Sequence, residues 1–179
     1  MQVHTEKLRL EFLDAMAAAK ELASRVDNDA FRRRPADGSW SAAECIEHLS
    51  LSAETFVRRL RRKIEASKKE KPRRGETLSW LGRAYVWLLE PPVGRKLPAP
   101  TAFVPGAVAE RAVLMARFER THRELIALIE ETDSFDRTRI KVPTPVGKWM
   151  RISVLDAFTA LAAHARRHIW QAQRALRSL

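Results

Sequence analysis

Four long segments of this chain repeat apolar residues at steps of three and four, the spacing that lines up one face of an α-helix. The first runs from about Thr5 to Val26 and aligns Leu8, Phe12, Ala15, Ala19, Leu22 and Val26. The second, Ala42 to Ser67, aligns Cys45, Leu49, Ala53, Phe56 and Leu60. The third, Ala107 to Glu131, carries Leu114, Met115, Phe118, Leu125, Ile126 and Ile129, and the fourth, Val154 to Leu176, carries Phe158, Leu161, Ala165, Ile169, Ala172 and Leu176. Each such face must be covered, and four of them cover one another in a bundle. Alternating apolar and polar residues are scarce, and Arg139 to Val142 is the nearest candidate for a strand. The expected fold class is all-α, a single four-helix-bundle domain over residues 1–179.

Local signals support these boundaries. Ser41 followed by Glu44 reads as a capping box, with Trp40 and Cys45 placed as a hydrophobic staple around it. Ser153 followed by Asp156 marks the start of the fourth helix in the same way. The connections are unequal. Ser67 to Pro105 is rich in proline and basic residues and encloses an apolar segment, Leu78 to Leu89, that reads as a short helix ending at Pro91-Pro92. A link of that length can cross the bundle and make the second and third helices parallel. Asp133 to Ile152 is a second extended link, punctuated by Pro143, Pro145 and Gly147.

The net charge of +11 on 179 residues is local. Ten basic side chains between Arg58 and Arg74, against Glu65 and Glu70, give that stretch +8, and Arg32-Arg33-Arg34 supplies the rest. Such a run is either a solvated surface or a footprint for a polyanion. No aromatic residue interleaves it, so the stacking platform of a single-strand binder is missing and nucleic acid is not the expected partner. One cysteine, Cys45, excludes an intramolecular disulfide and suits a reducing, cytoplasmic setting. The N-terminal residues lack the apolar run of a secretion signal, and no apolar stretch is long enough to span a membrane.

The histidines carry the chemistry. His164 and His168 lie four apart, so both project from one face of the fourth helix, with Gln171 beside them along the border of its apolar stripe. His48 holds the corresponding border of the second helix, beside Cys45, Leu49 and Ser52. Three neutral imidazoles can hold a divalent ion such as Zn²⁺ or Ni²⁺ and leave a coordination position open, as a catalytic centre requires. The same spacing also suits ordinary border histidines bonded to their neighbours. His122 falls within the apolar stripe of the third helix and reads as a core histidine, with a site-lining role as the alternative. Cys45 reads as packing, and Glu44 as part of the capping box, with support of a metal ligand as its other role.

Trp40-Ser41 followed by Glu44 and His48-Leu49, then Asp156-Ala157-Phe158, then the segment from His164 to Gln171, together resemble the DinB/YfiT-like family of bacterial metalloproteins. The His-x-x-Arg-His-x-x-Gln segment is the more specific part, and the likeness spans essentially the whole chain. The resemblance implies an up-down-down-up bundle and a divalent metal held by His48, His164 and His168. It also implies a reaction in which the metal activates a low-molecular-weight thiol for S-transfer, or water for hydrolysis. Glu44, His122 and Gln171 are then the candidates for ligand support or substrate lining. A small, anionic substrate and a homodimer anchored by Trp170 complete the expectation. Two other classes compete with it: a polyanion-binding bundle using the basic stretch, and a structural dimer with a vestigial metal site.

Overall fold

The apolar faces close on one another as their spacing requires. The computed structural model describes residues 3–67, 76–92, 98–144 and 150–179, and over these the regular secondary structure is helical apart from one two-stranded sheet. The helices are α1 (Val3–Arg25), α2 (Asn28–Arg32), α3 (Ala42–Ala66), α4 (Trp80–Leu89), α5 (Arg111–Glu131) and α6 (Val154–Arg177). Strand β1 (Lys141–Pro143) pairs antiparallel with β2 (Arg151–Ser153), with Val142 opposite Ile152. The strand expected near Arg139 to Val142 thus exists, displaced toward Pro143. Its partner and α2 have no periodic signature, being three and five residues long.

Two of these boundaries follow from caps, and a third from a side chain of another segment. Ser41 accepts from the Glu44 amide, and the Glu44 carboxylate accepts from the Ser41 amide, so α3 starts at its capping box. The Ser79 hydroxyl accepts from the Gly82 amide and starts α4 two residues later than its apolar segment. Helix α5 starts four residues later than its periodicity suggests, because Arg32 donates to the carbonyls of Val108 and Ala109 and holds that segment outside the helix.

Helix α3 packs against α5 and α6, α1 packs against the same two helices, and α4 lies on α6. One core cluster joins Phe12, Phe56, Leu60, Ile64, Leu125, Ile129 and Phe158. A second joins Ala19, Phe31, Ile46, Leu114, Phe118 and Ile169. Burying each large side chain stabilises the fold by roughly 1.5–3 kcal/mol, which is why these faces set the helix order.

Polar groups tie the links to this frame. Arg137 is fully buried and donates to the Glu76 carboxylate and to the Thr5 hydroxyl, which in turn donates to Asp133 at 2.5 Å. His4, for which the sequence suggests no partner, donates through Nε2 to the Glu76 carbonyl at 3.0 Å. Several basic side chains of the two runs are engaged within the chain among the described residues. Arg34 pairs with Glu44, Arg61 with Glu124, and Arg59 donates to the Pro143 carbonyl while lying over Phe56. Lys68 to Arg74, and the Pro145 and Gly147 of the second link, lie outside the described residues. Trp170 is half-buried with Arg174 stacked on its ring, whereas Trp80 and Trp87 on α4 are largely exposed.

Candidate metal centre

Helices α3 and α6 bring their border histidines together. His48 sits on the second turn of α3, and His164 and His168 on successive turns in the middle of α6. One ring nitrogen from each falls within 4.8 Å of the others, and the ring centroids lie 4.4–4.9 Å apart. His48 and His164 face each other through Nε2 at 3.0 Å.

The orientation of His48 is fixed from behind. Its Nδ1 donates to the Phe103 carbonyl at 2.6 Å, so in the neutral ring the lone pair is on Nε2, turned toward His164. A backbone carbonyl behind an imidazole is the usual means of setting tautomer and ring orientation at a metal ligand. Phe103 comes from a short 3-10 turn, Thr101–Phe103, in the long link before α5. The Nδ1 of His168 is buried and has no hydrogen-bond partner among the described residues. Trp40 covers the group, its ring 4.8 Å from that of His48 and stacked 5.9 Å from that of His168.

Burial dominates the electrostatics. Desolvation holds His48 below the ordinary histidine value, partly offset by its bond to Phe103. It holds His164 and His168 well below, and the other imidazoles and the Arg167 guanidinium push in the same direction. Gln171, beside His168, acts weakly the other way. The three rings are therefore uncharged at neutral pH, which is the form that donates a lone pair to a metal. The donor set, the turned Nε2 of His48 and the unpartnered His168 nitrogen all fit a divalent metal ion.

A family-wide sequence profile of the DinB superfamily matches residues 11–172. The chain belongs to the DinB superfamily. No curated protein and no solved structure matches it closely enough to add to that assignment. The match runs from within α1 to the last ligand-bearing turns of α6, so the residues that carry the DinB resemblance all lie inside it.

The group borders a cavity of about 470 Å³ lined by Trp40, Cys45, Ser52, Phe56, Tyr85, Leu88, Leu89, Phe103, Arg167 and Gln171 among others. Gln171 is thus at the site. Glu44 is engaged elsewhere, in the cap of α3 and with Arg34. His122 lies between Phe12 and Phe118, donates through Nδ1 to the Phe118 carbonyl at 2.9 Å, and does not line the cavity. Burial lowers its pKa to about 4. Cys45 reaches the cavity wall but burial pushes its thiol up to about 12, a neutral packing group. Sequence reasoning missed the cover by Trp40, the Phe103 carbonyl and Arg167. A backbone carbonyl has no sequence signature, but Arg167 had one: it stands between the two histidines of the motif.

Proposed function

We propose that the chain is a divalent-metal-dependent enzyme, with His48, His164 and His168 as the ligands. The observation that carries this reading is the His48 imidazole, held by the Phe103 carbonyl so that its lone pair is aimed at His164 inside a buried, uncharged trio. A divalent ion held there would act as a Lewis acid that lowers the pKa of a bound thiol or water. The protein's own part is to keep the three rings neutral, to fix their direction through Phe103 and Gln171, and to exclude water with Trp40. S-transfer from a low-molecular-weight thiol and hydrolysis are the two reactions this arrangement supports.

The proposal includes a single up-down-down-up bundle over residues 1–179. Arg111, at the start of α5, donates to the carbonyls of Ala23 and Val26 at the end of α1, and Thr5 meets Asp133 at the opposite ends. That pattern supports antiparallel α1 and α5. Arg117 pairs with Glu47 and Glu54, and Arg61 with Glu124, which supports parallel α3 and α5 and a crossover in the link between them. A homodimer and a cytoplasmic setting also belong to the proposal, with Trp80 and Trp87 better placed than Trp170 to meet a second copy. No helix among the described residues is long and apolar enough to cross a membrane. Arg59 and Arg61 have partners within the chain, which supports a self-paired surface over a polyanion-binding face.

Elemental analysis of the purified protein tests the reading. Near-stoichiometric Zn or Ni is expected in the wild type and none in the His164→Ala, His168→Ala double variant. Equal metal content in the two proteins refutes it.

A further inference from the structure

The cavity beside the three imidazoles has a largely apolar wall, with Trp40, Phe56, Leu89, Phe103 and Leu161 among its larger side chains. Into this wall the fold sets two hydroxyls that have no hydrogen-bond partner among the described residues, Ser52 of α3 and Tyr85 of α4. Ser52 is 3% exposed and its oxygen is closed over, whereas Tyr85 is half-buried. Tyr85 is also firmly placed. It packs against the core cluster of Phe56 and Leu161 on one side and against Leu89 and Ala160 on the other. The Asp156 carboxylate holds the start of its helix through the Ser79 amide and hydroxyl. Burial alone raises the Tyr85 pKa above its ordinary value, so the group is a neutral O–H donor at physiological pH.

We propose that Tyr85 is a specificity-determining residue of this cavity and that the ligand is a small, apolar-bodied carbonyl compound whose oxygen accepts from the Tyr85 hydroxyl. A donor turned away from water and left unpaired costs free energy, and an acceptor on a ligand removes that cost. A site built on such a donor rejects an analogue lacking the acceptor more sharply than an apolar wall rejects one of the wrong size. The aromatic and aliphatic wall takes the apolar body, and a cavity of about 470 Å³ suits a small molecule. A carbonyl carbon is an electrophile that a thiol or water can attack. The inference therefore deepens the enzyme reading and rests on it for the reaction, although not for the binding.

NMR titration of the full chain, metal-free and Zn²⁺-loaded, tests this with benzylacetone and butylbenzene, a ketone and the hydrocarbon that lacks only its carbonyl. Tyr85→Phe keeps the ring and removes the hydroxyl. It is expected to weaken benzylacetone about fivefold to tenfold and to leave butylbenzene within about twofold, in both metal states. A merely structural role for Tyr85 would weaken both probes alike, so the ratio of the two affinities is the readout. Ser52→Ala should keep the wild-type ratio. An unchanged ratio in Tyr85→Phe, or failure of benzylacetone to bind the wild type, overturns the proposal. So does a ratio lost in Ser52→Ala instead, which would move the donor to α3. A ketone preference that appears only with Zn²⁺ and survives Tyr85→Phe overturns it as well, by assigning the oxygen to the metal. If the chain takes up no metal, the enzyme reading fails, while the ketone–hydrocarbon comparison in the metal-free protein still decides this one.

Discussion

Gly82 and Asp156 lie so close that a Cβ added to the glycine would overlap the carboxylate and stand 2.9 Å from the Asp156 Cβ. The contact joins two helix starts. The Asp156 carboxylate accepts from the Ser153 amide in the capping box of α6, and from the Ser79 amide and hydroxyl at the cap of α4. One side chain therefore sets where α4 lies along α6, and α4 in turn supplies Tyr85, Leu88 and Leu89 to the cavity wall.

Replacing either residue should loosen that wall. Gly82→Ala is expected to destabilise the fold by about 1–3 kcal/mol through overpacking. Asp156→Ala should cost about 2–4 kcal/mol, because it strands donors at two helix starts. Denaturant unfolding of both variants measures this, and wild-type midpoints would refute the shared-cap account.

Stability should fall in acid through His122. Its ordinary pKa is 6.5 and its folded value about 4, so the unfolded chain takes up the proton first as pH falls below 6.5. The contribution is complete above that value and is lost as pH drops toward 4, by about 3 kcal/mol at most. His122→Phe keeps a ring between Phe12 and Phe118 and should flatten this part of the profile. A wild-type slope between pH 6.5 and 4 in that variant would place the acid sensitivity elsewhere.

Metal should stabilise the fold by mass action. Zn²⁺ at about a thousand times its dissociation constant is expected to add about 4 kcal/mol, or roughly 8–16 °C in melting temperature for a chain of this size. His168→Ala should abolish the shift. A shift that persists in that variant would mean the ion binds outside the trio.

Glu44 separates capping from ligand support. Burial works to raise its pKa, but Arg34 and the Ser41 cap outweigh that and hold the carboxylate ionised. Glu44→Gln should cost about 0.5–1.5 kcal/mol in stability and leave metal content unchanged. A tenfold or greater loss of metal affinity would instead make it a support for the histidines.

The four long helices were legible because each is an extended repeat of apolar steps, and α3 and α6 were sharpened by Ser41–Glu44 and Ser153–Asp156, whose caps act within three residues. His48, His164, His168 and Gln171 were legible for a related reason: helical spacing fixes which side chains share a face, and the family motif joined the two faces. What spacing cannot express is the partner beyond the helix. Arg32 holds back the start of α5 from far along the chain, and Phe103 reaches His48 from a link without periodicity.

By itself, then, the sequence determined the helical faces, the caps and the identity of the imidazoles, since these depend on contacts within one or two turns. Tertiary structure alone decided that Phe103 turns His48 toward His164, that Trp40 covers the trio, and that Arg167 enters a cavity wall without acidic residues among those described. Hydrogen bonds and burial between segments 50 or more residues apart depend on how the helices meet, and no local pattern records that.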